Sequence, residues 1–374
     1  MKSGKMELKV KTLSSSNTES WDRYVNASGC ATAYHLSGWS RIIEKTYGHK
    51  TYPLAAVKEG TKIKPNGEVP FEIIGILPLV RMRNILFSTS LISMPFCDFG
   101  GAIADHSEIR QMLIGEAISL GHKIGAKQIE LRNSDNQVSI KSLNVRKYDK
   151  DFFCREESRR YRLLLNLPES STKLMNGFKS KLRSQIRRPS KSGCKARYGK
   201  ADLIDDFYTV FASNMRDLGS PVHSKRLFEN IFKEFSDKTT IFIITRDNVP
   251  LAVSITIGFR ETMYNPWASS LRQYSRHSPN MLLYWKMLEF ACDNGYKIFD
   301  FGRSYLNEGT YRFKRQWGAE PLPLPWQYIS FAEGGSANIS SESRVFQTAG
   351  ELWKKFPVGL TRIIGPYLRR HIGL

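Results

Sequence analysis

Two stretches of this chain follow the same pattern. GAKQIELRNS (Gly125–Ser134) and GYKIFDFGRS (Gly295–Ser304) share their first glycine, the lysine that follows, an acid flanked by apolar residues and the closing serine. Each stands after a helical run, about Glu108–Ile124 in the first case and Pro279 to about Asp293 in the second. Each helical run in turn follows three strand-like segments: Tyr52–Val57, Glu72–Val80 and Ser90–Met94, then Thr240–Thr245, Leu251–Phe259 and Thr262–Trp267. The order strand, strand, strand, helix, strand occurs twice, which predicts a structural duplication into two similar mixed α/β units. We place them at 1–165 and 166–330, followed by a linker and tail at 331–374. The first unit opens on a strand, MELKVKTL, then a helix around Trp21–Asn26 and a helix capped by Ser37 that carries Trp39, Ile42, Ile43 and Tyr47. A polar hairpin is expected at Lys64-Pro65-Asn66-Gly67. Lys147–Phe153 and Tyr161–Leu167 are read as the strands that finish this unit, and Asp98 lies in its MPFCDFGG turn.

The charge is one-sided. Fifty-six Lys and Arg face 35 Asp and Glu, a net +21 in 374 residues, which predicts an anionic partner: nucleic acid, a phosphorylated metabolite or an acidic membrane surface. The five cysteines are scattered and form no CxxC pair, as suits reduced thiols in a cytoplasm. No apolar run approaches the length of a membrane span, so a soluble body is expected. No P-loop, GxSxG or HExxH motif is present, and no metal or tightly bound cofactor is called for. His35 and His223 are read as hydrogen-bonded structural residues.

Chemistry concentrates between Ile298 and Tyr328, IFDFGRSYLNEGTYRFKRQWGAEPLPLPWQY. A buried strand carries Asp300 and runs into the turn Gly302-Arg303-Ser304. In the short helix that follows, Thr310, Phe313 and Trp317 share one face, turning Tyr311 and Lys314 onto another. Gly318 suits a left-handed cap, and Pro321, Pro323 and Pro325 belong at a sheet edge or strand end. Asp300 is open to two readings, a ligand of the substrate or a structural partner of Arg303.

Between the units, Lys173–Lys200 holds ten Lys or Arg and no acid. Phe178, Leu182 and Ile186 form an apolar stripe, and Lys179, Arg183 and Arg187 form a basic stripe on another face of a helix that Pro189 is expected to end. This is either a solvated charged face or a phosphate-binding or RNA-facing ridge. Ahead of the second unit's long helix, Ser278 suits an N-cap and Pro279 the first helical position, so its amides would open beside Arg272, Arg276 and His277. That is a second candidate anion site, with a well-capped helix bearing incidental basic residues as the alternative.

The motifs SMPFCDFGG, KSKLRSQIRRPSKSG, FASNMRDLGSPVHSKRLF, NPWASSLRQYSRHSPNMLLYW and FDFGRSYLNEGTYRFKRQWGAEPLPLPWQY resemble those of FemAB-like proteins found with exosortase and exopolysaccharide clusters. The likeness spans about Trp39–Tyr328. It implies two tandem acetyltransferase-like (GNAT) domains with mixed sheets, and transfer of an acyl or aminoacyl group from acyl-CoA or aminoacyl-tRNA to an amine or hydroxyl of a surface-polysaccharide or peptidoglycan-type precursor. By that resemblance Phe313 and Lys314 approach the reacting carbonyl, Asp98 takes the place of the first domain's turn aspartate, and Arg216 binds precursor phosphate; we read Lys314 and Asp98 as catalytic, with Phe313 and Tyr311 shaping the pocket. Arg303, Asp300, Trp267, Arg183, Arg187, Arg272 and Arg276 complete the substrate-binding candidates. The family's precursor-binding lysine has no match after Trp39, where Ile42 and Ile43 stand, and neither unit carries the R/Q-x-x-G-x-G/A loop that grips acyl-CoA. A non-catalytic RNA-binding or scaffolding protein that uses 173–200 is the alternative.

The tail holds five Lys or Arg and one Glu in residues 351–374, with Leu360, Ile363, Ile364 and Tyr367 on one helical face. It is read either as packing on the second unit or as resting on an anionic membrane near a phosphorylated or lipid-linked precursor.

Overall fold

The computed structural model describes residues 7–60, 71–84, 88–134, 152–331 and 344–373. The hairpin at Lys64–Gly67 and most of the strand expected at Lys147–Phe153 lie outside them. In chain order the elements are Glu7–Thr12 (β1), Thr18–Ala27 (α1), Gly38–Tyr47 (α2), Thr51–Glu59 (β2), Phe71–Arg83 (β3), Thr89–Ile92 (β4), Ile103–Ala104 (β5), Ser107–Lys123 (α3), Gln128–Arg132 (β6) and Phe153–Glu157 (β7). Then come Arg160–Asn166 (β8), Ser171–Gly177 (α4), Ser180–Lys191 (α5), Lys195–Gly199 (β9), Ile204–Asp217 (α6), Lys225–Phe235 (α7), Thr239–Arg246 (β10), Val249–Phe259 (β11) and Thr262–Ser270 (β12). Pro279–Asp293 (α8), Ile298–Tyr305 (β13), Gly309–Arg315 (α9), Glu320–Pro323 (β14), Trp326–Ser330 (β15), Arg344–Trp353 (α10) and Val358–Arg369 (α11) complete the chain.

Two compact units result. The sheet of the first has the order β1-β2-β3-β4-β6-β15-β7, with β5 on β3, and that of the second β14-β8-β13-β12-β11-β10-β9. Both are mixed, because a helical crossover returns the chain parallel to the strand it left. In the first, α3 connects β4 to β6; in the second, α8 connects β12 to β13. Gly125 (φ 64°) and Gly295 (φ 79°) take the left-handed turn that leads out of each helix, which only a residue without Cβ adopts at little cost. The parallel registers end alike, at Ile92 opposite Glu130 and at Tyr264 opposite Asp300. The two acids matched in the sequence therefore hold the same place in each sheet.

The division differs from 1–165 and 166–330. β8, expected to finish the first unit, pairs antiparallel with β13 and β14 in the second sheet. β15, from the end of the second half, lies between β6 and β7 in the first. The first unit thus comprises Met1–Ser158, Leu324–Ala337 and His371–Leu374, and the second Arg159–Pro323 and Asn338–Arg370. Strand propensity marks the segment; sheet membership depends on non-local pairing.

Each sheet is covered by its crossover helix. Leu113 and Ile118 of α3 pack on Leu54, Leu77, Leu91 and Ile129. In the second unit α5 and α8 bury Leu182, Ile186, Leu283 and Met287 against Met263, Phe299 and Phe301, each side chain contributing about 1.5–3 kcal/mol relative to exposure. α5 does not end at Pro189: it runs to Lys191 with the ring buried. In the last turn a proline removes only one intrahelical bond, and packing offsets it. Ser37 and Ser278 hold N-cap positions without side-chain capping bonds; the Ser37 hydroxyl donates instead to Asp22 (2.7 Å), and Ser278 is left-handed (φ 52°). β14 is an edge strand, which tolerates Pro321 and Pro323, and Gly318 has φ 89°, as expected.

Candidate active site

The second sheet opens where its two central strands part. β12 and β13 share three register pairs, ending at Tyr264 and Asp300, and pair no further with one another among the described residues. At that point β12 bulges against β11, between Tyr264 and Trp267, and β13 shifts register against β8 between Asp300 and Arg303, with Gly302 at φ 73°. Bulges there turn the strands and free backbone groups beside the gap.

Asn265 is the first β12 residue past the last pair, and it is buried. Its Oδ1 accepts from the Ser254 hydroxyl at 2.8 Å. Its Nδ2 is buried without a hydrogen-bond partner of good geometry, although it lies near enough to the Tyr284 hydroxyl to draw that phenol's pKa down. Burial outweighs this and pushes Tyr284 up to about 12. The Tyr284 ring stacks on Phe301 (5.6 Å between centroids) and meets Phe313 edge-on at 4.9 Å. Trp317, 6.4 Å from Tyr284, also buries an indole N–H without a partner. Two unsatisfied buried donors beside one aromatic wall are costly unless a ligand carbonyl meets them.

Lys314 is buried on α9, and its ammonium donates to the carbonyls of Gly302 (3.1 Å) and Arg303 (2.7 Å) at the β13 register shift. The charge is therefore fixed in place beside the opened strands. Asp300 is buried and bound by Arg162, a partner that the sequence did not announce. Its Oδ2 accepts from Arg162 Nε at 2.6 Å and its Oδ1 from the Gly302 amide at 2.8 Å, with side-chain exposures of 2% for Asp300 and 11% for Arg162. Arg162 is on β8, so the strand that joined this sheet supplied a countercharge.

Cations gather before α8. Arg246 Nη1 lies 2.6 Å from His277 Nε2, and Arg276 Nε donates to the same nitrogen at 3.1 Å. Partial burial first, then Arg246, Arg276 and Arg188, hold His277 below its ordinary pKa, so the ring is neutral and accepts. Asp247 pairs with Arg246, 3.6 Å from its Nε. Along α5 and β9, Lys179, Lys181, Arg187, Arg188, Lys191 and Lys195 are exposed and form no ion pair among the described residues, whereas Lys173 pairs with Glu169 and Arg197 with Asp206. Clustered guanidiniums repel one another until an anion neutralises them.

The remaining candidates divide. Tyr311 is half-buried and edge-on to Tyr161 (6.3 Å), and Arg303 contributes its carbonyl to Lys314. Arg272 and Arg276 are exposed ahead of α8, Arg187 is exposed on α5, and Arg183 donates to the Asn176 carbonyl at 3.3 Å. Arg216 is committed to Asp217 (2.6 Å) and the Phe356 carbonyl (3.2 Å). Trp267 is a core residue, edge-on to Phe228 at 5.3 Å. Asp98 belongs to the first unit, in a turn where Met94 (φ 51°) and Phe96 (φ 68°) are left-handed without being glycine. Such strain persists only where surroundings enforce it. Here the buried Arg132 bonds the Cys97 carbonyl (2.7 Å) and Glu130 (2.7 Å), while Trp326 Nε1 donates to the Asp98 carbonyl (3.1 Å). Asn265, Tyr284, Arg162, Arg246 and Arg132 were not singled out from sequence; a polar residue inside an apolar strand was the only signal for the first.

Residues 177–315, which contain the opened strands, Lys314 and the cationic cluster, match the Acetyltransferase (GNAT) domain family. This part of the chain is an acyltransferase domain. The whole fold is similar to the crystal structure of FemX, at TM-score 0.64 and 14% identity over 93% of this chain and 100% of that one. It is also similar to a tandem GNAT protein from the clavulanic acid biosynthesis pathway, at TM-score 0.52 and 9% identity over 87% of this chain and 98% of that one. Two GNAT-like units in tandem are thus the fold. No curated protein matches the sequence.

Proposed function

We propose that the chain transfers an aminoacyl or acyl group from an adenosine-phosphate donor to an amine or hydroxyl of a phosphorylated or lipid-linked glycan precursor. The observation that carries this is the arrangement in the second unit: strands that part beside a pinned ammonium, with clustered cations at the start of α8. The donor's phosphates meet Arg188, Arg246 and Arg276, and its carbonyl enters between β12 and β13 toward Asn265 Nδ2. The acceptor nitrogen attacks the carbonyl carbon, the C–N bond forms, and charge develops on the oxygen. Lys314 stabilises that oxyanion. On collapse the C–O bond of a tRNA ester, or the C–S bond of a thioester, breaks, and the proton lost by the acceptor amine restores the leaving hydroxyl or thiol. No protein nucleophile is needed, since holding the reactants in line supplies much of the rate.

An aminoacyl-tRNA donor is favoured by the extent of the exposed, unpaired cations on α5 and β9, which exceeds what one diphosphate requires. Pro279 at the start of α8 also has no amide to offer a diphosphate. The match to the acetyltransferase domain favours acyl-CoA as the second reading. The resemblance to exopolysaccharide-associated proteins makes a surface-glycan precursor the favoured acceptor. Incubating the protein with charged tRNA or with acyl-CoA, in the presence of a lysate of surface-glycan precursors, and following mass transfer by mass spectrometry tests the proposal. Transfer from either donor that disappears in Lys314→Met supports it, and no transfer from both donors overturns it.

A further inference from the structure

The last helix of the second unit, α11, turns its largest apolar side chains to solvent. α11 packs through small residues: Thr361 and Gly365 are buried, and a Cβ at Gly365 would lie 2.9 Å from Val222 Cγ1. Arg362 reaches over the Tyr208 ring (5.2 Å) and Arg369 donates to His223 Nε2 (3.2 Å). Helical periodicity places these anchors on one side of α11 and Leu360, Ile363, Ile364 and Tyr367 together on another. Their exposures are 39, 67, 39 and 68%. Leu352 (56%) and Phe356 (43%), just before α11, extend the set. A single exposed leucine is ordinary, but four large apolar side chains on one helix face, with two more exposed just before it in the chain, mark an interaction face.

Charge selects the occupant. Residues 351–374 hold five Lys or Arg against one Glu, within a chain of net charge +21. Lys354 and Lys355 are exposed beside Leu352 and Phe356, and the Lys354–Glu351 pair (2.6 Å) is itself exposed and so binds its lysine weakly. Through the same segment, a second copy of this chain would bring no acidic partner for Lys354 and Lys355 beyond another Glu351. An anionic bilayer offers both an apolar layer for the exposed side chains and headgroup phosphates for the lysines. No helix among the described residues is long and apolar enough to cross a membrane, which leaves an attachment in the plane of the interface.

We propose that the face formed by Leu352, Phe356, Leu360, Ile363, Ile364 and Tyr367, flanked by Lys354 and Lys355, docks on an anionic phospholipid surface. Vesicle flotation tests it with the full chain, using phosphatidylcholine alone and phosphatidylcholine mixed with phosphatidylglycerol. The parent protein is expected to float only with the anionic vesicles. Ile363→Ser/Tyr367→Ser is expected to weaken that binding about tenfold or more, and Lys354→Glu/Lys355→Glu to weaken it most at low salt. Both pairs are exposed, and an unchanged melting temperature for each variant confirms that the fold survives. Anionic binding that Ile363→Ser/Tyr367→Ser leaves intact overturns the proposal, because the basic surface elsewhere would then account for it. Absence of vesicle binding, with self-association that the same double substitution abolishes, also overturns it and assigns the face to a second copy.

Discussion

Replacing Lys314 by Met separates the two roles that its position gives it. Methionine keeps the unbranched stem and fills nearly the same space, so no cavity forms. What disappears is the ammonium and its bonds to the Gly302 and Arg303 carbonyls, at 3.1 and 2.7 Å. A hydrogen bond to a charged group contributes about 1.5–3 kcal/mol, and two from one donor are not additive, so the expected loss of stability is about 2–4 kcal/mol. For a unit of this size that is a fall of roughly 5–15 °C in melting temperature. The catalytic loss is distinct. Removing one donor from an oxyanion costs about 10²–10³ in kcat, near 2.7–4 kcal/mol at the barrier, while KM for the donor should stay close to the parent value because the phosphates are held elsewhere. Thermal melts together with initial rates, using the donor that supports transfer, measure both. A folded Lys314→Met protein with kcat within about threefold of the parent would refute the catalytic role. An unchanged melting temperature would refute the pinned geometry.

Asp300→Asn should destabilise the second unit by about 3–5 kcal/mol, because it strands the buried Arg162 guanidinium; urea midpoints should show the loss, and the double variant Arg162→Met/Asp300→Leu should recover most of it. Arg188→Gln and Arg276→Gln should each raise KM for a tRNA donor and reduce the log-log salt slope of its binding by about 1 per cation removed, as read by filter binding at several salt concentrations. His35 is fully buried, its Nε2 at 3.1 Å from the Gly101 carbonyl and its Nδ1 receiving the Thr32 amide, and burial lowers its pKa to about 4. The unfolded chain binds this proton first, so stability present above about pH 6.5 is lost as pH falls toward 4, by at most about 3 kcal/mol. Urea midpoints across that range should follow this slope, and His35→Gln should flatten it.

The duplication was legible because helix exit, strand and acid recur locally, and the structure gives Glu130 and Asp300 the same register position. His35 and His223 are buried and hydrogen-bonded, as the sequence led us to expect. The site was only half legible. Phe313 and Lys314 lie within one short helix, and their spacing could be read directly; the bond between Asp300 and Arg162 could not, because Arg162 comes from a strand far away in sequence. Likewise Arg246 meets His277 only through sheet pairing and the loop before α8, so no spacing rule announced it.

The tail reveals a different limit. A periodicity argument assigns the core to whichever face carries the largest apolar residues, since burying them removes the most surface from water. On α11 the chain does the reverse: Thr361 and Gly365 form the packed face, and Ile363 and Tyr367 point outward. Close approach of a helix backbone to Val222 requires the absence of a side chain at 365, where even a Cβ would come within 3.0 Å of the Val222 amide nitrogen. Gly365→Leu should therefore displace α11 and weaken its docking, whereas Ile363→Ser should leave that docking unchanged. If hydrogen exchange instead showed Ile363→Ser loosening α11 while Gly365→Leu had no effect, the apolar stripe would be the packing face, and the membrane proposal would fall with it.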